Sequence, residues 1–107
     1  MRQFKLSEAG ANGWFVGPFD KAIWQTSDFE VCYCFSPKGA ITQKHIHKVA
    51  KELNLIASGR ALINGVEFAA GDIFEIEPGE ELYGEYLEDT YTVCIKVPGV
   101  LGDKYLV

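Results

Sequence analysis

Glycine, proline and asparagine punctuate this chain so often that only short strands fit between them. Turn signals fall at Asn12-Gly13, Gly17-Pro18, Ser36-Pro37-Lys38-Gly39, Asn64-Gly65, Ala70-Gly71-Asp72, Pro78-Gly79 and Pro98-Gly99. The stretches between them, residues 22–26, 29–35, 41–47, 52–57, 61–63, 66–68, 73–76, 82–87 and 91–97, are rich in aromatic, β-branched and small residues. Strands separated by turns roughly every 8–12 residues predict an all-β sandwich or barrel. Asn64-Gly65 supplies two positive-φ positions, so a tight type I′ hairpin is expected there. Residues 49–56 could hold a turn or two of helix, but the segment is short and uncapped. The first 21 residues read as a glycine-rich extended arm carrying Trp14, Phe15, Val16 and Phe19. Residues 22–107 read as the barrel, and 101–107 as a possible edge strand.

Length and composition set the outer bounds. A chain of 107 residues is one domain, and on folding it buries somewhat under ~70% of its unfolded surface. The 48% hydrophobic and 13% aromatic content indicates a packed core rather than disorder. A formal charge of -5 argues against a nucleic-acid partner, which needs clustered base. No apolar run nears the ~18 residues of a membrane span. The opening MRQFKLSEAG has no apolar core of a signal peptide, so a cytoplasmic location is expected. Three cysteines, Cys32, Cys34 and Cys94, occur without a C-x-x-C spacing. They read as small reduced thiols, with a ligand or redox role for Cys94 as the other reading.

Chemistry concentrates in residues 39–59. This segment holds the only two histidines, His45 and His47, and Glu52 follows after four further residues. Residues two apart diverge on a helix but share a face on a strand. Two imidazoles that bind one ion therefore require a strand, with Gln43 and Ile41 expected on the same face. Glu52 is expected to return opposite them through a hairpin turn at 48–51. Two neutral imidazoles and a carboxylate suit a divalent metal ion such as Fe, Mn, Ni or Zn. The plainer alternative is two polar residues on a wet strand face and a surface glutamate.

The order Gly39, His45, His47, Glu52, Gly59, with five, one, four and six residues between, resembles the first motif of the cupin superfamily at every position. Gly71-Asp72, Ile76, Pro78 and Gly79 are similar to the second motif, with Glu77 where that family usually has proline. Gly13-Trp14-Phe15, His45-Ile46-His47-Lys48, Lys96-Val97-Pro98 and Gly102-Asp103-Lys104 are similar to small stand-alone bacterial cupins. The resemblance spans about 29–97 and implies a double-stranded β-helix, or jelly roll, with a ligand site inside the barrel. It also implies a third histidine three residues after Gly79, where this chain has Leu82. Three outcomes are open. The metal binds through His45, His47, Glu52 and water; or a substitute from Tyr86, Glu81 or Glu85 joins, Tyr86 being favoured because it alternates in phase with Leu82; or the site holds no metal.

The surroundings suggest roles for other residues. Gln43, Tyr86 and Tyr33 are candidates to contact substrate, and Tyr33, Phe35, Trp24 and Tyr86 are candidate wall or core aromatics. Residues 72–89 contain eight acids and no base, which reads as solvated surface or as a polarised barrel mouth. Lys96 shares a face with Cys94 and Thr92 and is expected at the exterior or rim. A cupin of this kind would bind a divalent metal and handle a small polar or anionic metabolite, carbohydrate-like or keto acid, as an isomerase, lyase or dioxygenase. The alternative is a non-catalytic ligand-binding or accessory module with a degenerate site. Homodimerisation is expected in either case.

Overall fold

The computed structural model describes the backbone of residues 1–107 and every side chain except that of Ala11. Eleven strands follow two short 3-10 turns, Leu6–Glu8 and Ala11–Gly13. They are β1 (Trp14–Gly17), β2 (Trp24–Gln25), β3 (Glu30–Ser36), β4 (Ile41–Ile46), β5 (Lys51–Ser58), β6 (Arg60–Ile63), β7 (Val66–Ala69), β8 (Ile73–Ile76), β9 (Leu82–Tyr86), β10 (Thr90–Val97) and β11 (Tyr105–Leu106). The order in one sheet is β2-β1-β3-β10-β5-β8, and in the other β11-β4-β9-β6-β7. Two sheets with this interleaved order make the jelly roll expected from the turn spacing. Among the described residues, no helix is long and apolar enough to cross a membrane.

Local chemistry sets the boundaries. Asn64 and Gly65 take φ of 50° and 79°, closing β6 onto β7 as the dipeptide predicts. Gly59, at φ +96°, lies where the chain leaves β5 in the larger sheet for β6 in the smaller. A Cβ there would lie 2.4 Å from Thr90 Oγ1 and 2.5 Å from the Asp89 carbonyl oxygen, so only glycine fits. The arm is more structured than an extended segment: Trp14–Gly17 pairs with both β2 and β3 inside the larger sheet. The tail contributes β11, which pairs with β4 opposite His45 and Ile46.

The interior is divided. Ile56, Ala61, Ile63, Ile76 and Leu82 form the buried apolar cluster, with Phe68, Phe74 and Tyr86 packed against it. On the larger sheet, by contrast, the inward positions of β3, β10 and β5 are mostly polar: Glu30, Cys32, Cys34, Thr92, Cys94, Glu52 and Asn54. The alternate positions, among them Tyr33, Phe35, Tyr91, Val93, Ile95, Leu53 and Leu55, carry the apolar side chains outward. Period-two alternation makes this inversion possible, since swapping which face is inside moves every side chain together. Apart from Glu30, these inward positions line a cavity between the two sheets.

Candidate metal and ligand site

The cavity between the sheets has a volume of about 330 Å³ and is lined by His45, His47, Glu52, Asn54, Leu82 and Cys94, among others. His45 and His47 come from β4 and the residue after it. Glu52 comes from β5, which belongs to the opposite sheet. The hairpin expected at 48–51 is therefore absent: β4 pairs with β9 and β11, and β5 with β10 and β8. The four intervening residues cross from sheet to sheet, so Glu52 faces the histidines across the interior rather than beside them.

Asp103 anchors that crossing. Its carboxylate accepts hydrogen bonds from the backbone N–H groups of Lys48 (2.9 Å), Val49 (3.1 and 3.3 Å) and Ala50 (2.8 Å). The carbonyl of His47 is in turn fixed by the Gly79 N–H at 2.7 Å. Burial alone would raise the Asp103 carboxyl, but the hydrogen bonds from Ala50, Lys48 and Val49 outweigh it and hold the group below its ordinary value.

Both imidazoles are oriented from behind. His45 Nδ1 lies 2.7 Å from the Gln43 carbonyl oxygen, and His47 Nδ1 lies 2.5 Å from that of Asp103. A carbonyl oxygen can only accept, so each Nδ1 carries hydrogen and donates. In the neutral ring each Nε2 then keeps its lone pair, the arrangement typical of metal-binding histidines. Burial pushes the His45 imidazole below its ordinary value against the opposing pull of the Gln43 carbonyl, favouring that neutral form. The two rings meet edge to face at 5.1 Å.

Glu52 completes the group and exposes its need. It is only 6% exposed. Its Oε1 accepts a hydrogen bond from Cys94 Sγ at 3.1 Å, and its Oε2 lies 3.9 Å from His47 Nε2. His47 Nε2, Glu52 Oε2 and Asn54 Nδ2 are buried without a hydrogen-bond partner. A buried carboxylate and an unshared imidazole lone pair are costly unless something in the cavity uses them. A divalent cation between them would satisfy both. Among the described residues, however, no group of three or more His, Cys, Asp or Glu side chains is gathered to hold an ion. His47 and Glu52 come to 3.9 Å of each other, while Cys94 donates to the other Glu52 oxygen.

The remaining site residues divide. Leu82 pairs directly with His45 across β4 and β9, is buried, and lines the cavity. It occupies the wall from which a third imidazole would project. Tyr86 lines the cavity from the same strand, whereas Glu81 and Glu85 are exposed. Gln43 does not share the face of His45. The β4–β9 register slips between Thr42 and His45, and this bulge turns Thr42 into the cavity and leaves Gln43 exposed. Tyr33 is likewise outside. Cys32 and Cys34 take the inward positions of β3, so Tyr33 projects outward and stacks on Tyr91 at 5.5 Å. Phe35 and Trp24 are also exposed. None of the acids of residues 72–89 lines the cavity. Four of them, Glu75, Glu77, Glu81 and Glu88, instead meet Lys44, Lys51 and Arg60 on the surface. Lys96 lies at the mouth with its Nζ 5.1 Å from the Trp14 ring centroid.

Sequence reasoning did not single out Asp103 or Asn54 as site residues. Asp103 sits in a Gly-Asp-Lys turn that carries no sign of its partner 55 residues away, and Asn54 is one polar residue in an otherwise ordinary strand. The cysteines are buried or half-buried free thiols. For Cys32, the hydrogen bond with Cys34 lowers the thiol's pKa, but Cys94 and burial prevail and push it up to about 12. Cys34 is raised by its hydrogen bond to Cys32 and by burial. At Cys94 the contact with Cys32 lowers the value, while burial and the Glu52 charge outweigh it.

No protein-family model matches the sequence, and no curated protein matches it either. Solved structures do. A conserved double-stranded β-helix protein from Klebsiella pneumoniae superposes with a TM-score of 0.76 at 22% identity, covering 99% of this chain and 91% of its own. A cupin protein from Bacteroides fragilis gives 0.66 at 25% identity, covering 92% and 86%. This chain has the cupin fold. The DMSP lyase DddQ from Ruegeria pomeroyi also carries this cupin barrel, with a TM-score of 0.71 at 18% identity; the match covers 88% of this chain but only 49% of that lyase. Within this fold, the Gly39–Gly59 segment supplies a wall from each sheet, and Leu82 lines the cavity opposite His45.

Proposed function

We propose that this protein binds a divalent metal ion in the barrel through His45, His47 and Glu52, and binds or acts on a small polar or anionic metabolite there, carbohydrate-like or keto acid. One observation carries the reading. Both Nδ1 atoms are committed to backbone carbonyls, while His47 Nε2 and Glu52 Oε2 lie buried, 3.9 Å apart and without partners. Groups prepared at this cost await a cation. A bound ion would act as a Lewis acid or as a template for the ligand. Isomerase, lyase and dioxygenase activities all fit such a site, and fold does not choose among them. Tyr86, on the Leu82 strand, is the candidate to orient substrate.

A second reading, a non-catalytic binding or accessory cupin, is favoured by Leu82. An apolar side chain opposite His45 leaves the ion one protein ligand short. In either case the apolar outer face of β3, β10 and β5 supports a homodimer, since Phe35 is 50% exposed and Tyr33, Tyr91 and Leu53 are also exposed.

Elemental analysis of protein purified without chelating resin, followed by titration with Mn, Fe, Ni and Zn, tests the metal. About one ion per chain and a rise in melting temperature are expected. Sub-stoichiometric metal that no addition increases would refute the metal reading and leave the accessory one. Retention of one ion by Glu52→Gln would remove Glu52 from the set.

A further inference from the structure

The cavity carries two cations that the metal set does not use. Lys96 and Lys104 both line its mouth, and both also line the smaller adjoining hollow between Trp14 and the 100–104 turn. The two side chains therefore share the same boundary. Neither forms an ion pair; among the described residues, those of lysine and arginine belong to Lys44, Lys51 and Arg60. Of the nearby acids, two are already committed, and Glu52, which pairs with Lys96 across β5 and β10, is engaged at Oε1 by Cys94. Glu30 Oε2 accepts the Val100 N–H at 2.7 Å, and Asp103 is saturated by three backbone N–H groups. Lys96 faces the Trp14 ring rather than a carboxylate. In a protein of net charge -5, two unneutralised lysines at one cavity mouth make a local positive field.

A second, independent feature lines the same cavity. Asn54 is 8% exposed and lines the cavity, and its Nδ2 donor has no partner. A buried amide N–H left unpaired favours a ligand oxygen that accepts from it. Asn54 pairs with Cys94 and Glu52 with Lys96 across β5 and β10, so the unpaired amide lies one inward position farther along β5 than the carboxylate, and an anionic group is repelled by Glu52 and attracted by the lysines. We infer that the cavity takes a small organic carboxylate, its anionic end held between Lys96 and Lys104 and an inner carbonyl or hydroxyl oxygen accepting from Asn54. This rests on the reading of the cavity as the ligand site, and narrows that ligand to a carboxylate of fixed orientation.

Trp14 reports the test, because it touches Lys96; Trp24→Phe leaves it as the sole tryptophan of the two. Pyruvate and the uncharged hydroxyacetone, which keeps the carbonyl, serve as probes, with Trp14 fluorescence read during titration. Pyruvate should bind at least about 10-fold more tightly, the scale of one charge-assisted hydrogen bond. Lys96→Gln and Lys104→Gln should each weaken pyruvate by about 10-fold and leave hydroxyacetone unchanged. Asn54→Ala should weaken both probes. Melting curves identify any variant that fails to fold, and the other lysine then carries the comparison. Equal affinities for the two probes, or lysine variants without effect, overturn the inference while the ligand-site reading stands. Failure of both probes to bind a protein that still loads metal overturns it too and leaves the metal reading intact. Failure of both probes and of metal loading removes the two readings together.

Discussion

Removing the Asp103 carboxylate should both destabilise the protein and loosen His47. In Asp103→Ala, three backbone N–H groups lose their acceptor. Ala50 is 1% exposed, so its N–H has no water to turn to, and an unsatisfied buried donor costs about 1–3 kcal/mol. Lys48 and Val49 are exposed. Water replaces most of what they lose, and each contributes only about 0.5 kcal/mol. The expected loss is about 2–4 kcal/mol. For a chain of this length the unfolding entropy corresponds to roughly 4–5 °C per kcal/mol, so the melting temperature should fall by about 8–20 °C. The effect also has a pH signature. The Asp103 carboxyl is held below its ordinary value in the folded state. Its stabilisation is therefore complete above the unfolded carboxylate pKa of about 4, and is lost as pH falls through the lower folded value. The gap between wild type and Asp103→Ala should be constant near neutrality and shrink below about pH 4. Asp103→Asn, which keeps one acceptor oxygen, should fall between them. Urea unfolding at pH 7 and at pH 3 measures all three chains. A loss under about 1 kcal/mol at pH 7, or a gap that does not narrow in acid, would refute the argument that this carboxylate anchors the crossing.

Other outcomes follow from the same geometry. Leu82→His, which places an imidazole opposite His45, should tighten divalent-metal binding by at least about 10-fold, read by competition with a chelating dye; no change would show that Leu82 is not the vacant ligand position. Gly59→Ala forces a Cβ to within 2.4 Å of Thr90 Oγ1 at φ +96° and should cost more than about 2 kcal/mol, with equilibrium unfolding as the check. Cys32, whose thiol is pushed up to about 12, and its buried neighbours should resist iodoacetamide at pH 8 until denaturant is added; rapid alkylation of the folded protein would contradict the interior placement. Tyr91→Lys, on the outer face beside Tyr33 and Phe35, should convert a dimer to a monomer in sedimentation velocity, and an unchanged association state would place the interface elsewhere.

Much of this molecule was legible before its structure was. Turn dipeptides and strand runs are local signals, so the strands from β3 to β10 fall within a residue or two of the sequence expectation, and the 64–65 hairpin closes as predicted. The H-x-H spacing demanded a strand, and β4 supplies it for His45, with His47 just beyond its end. Long-range pairing decided the rest. Period-two alternation says which residues share a face but not which face is inside. That choice put Cys32, Cys34 and Asn54 in the cavity and Tyr33 and Phe35 outside. A one-residue bulge reversed the direction expected for Gln43, and a change of sheet turned the expected Glu52 hairpin into a facing wall. Asp103 could not be read at all, because its role exists only where the chain's end meets a crossing some 55 residues earlier. The sequence by itself determined an all-β chain with two histidines presented from a strand. Tertiary structure alone determined what faces them, since the contacts that fill a cavity are made between residues remote in sequence.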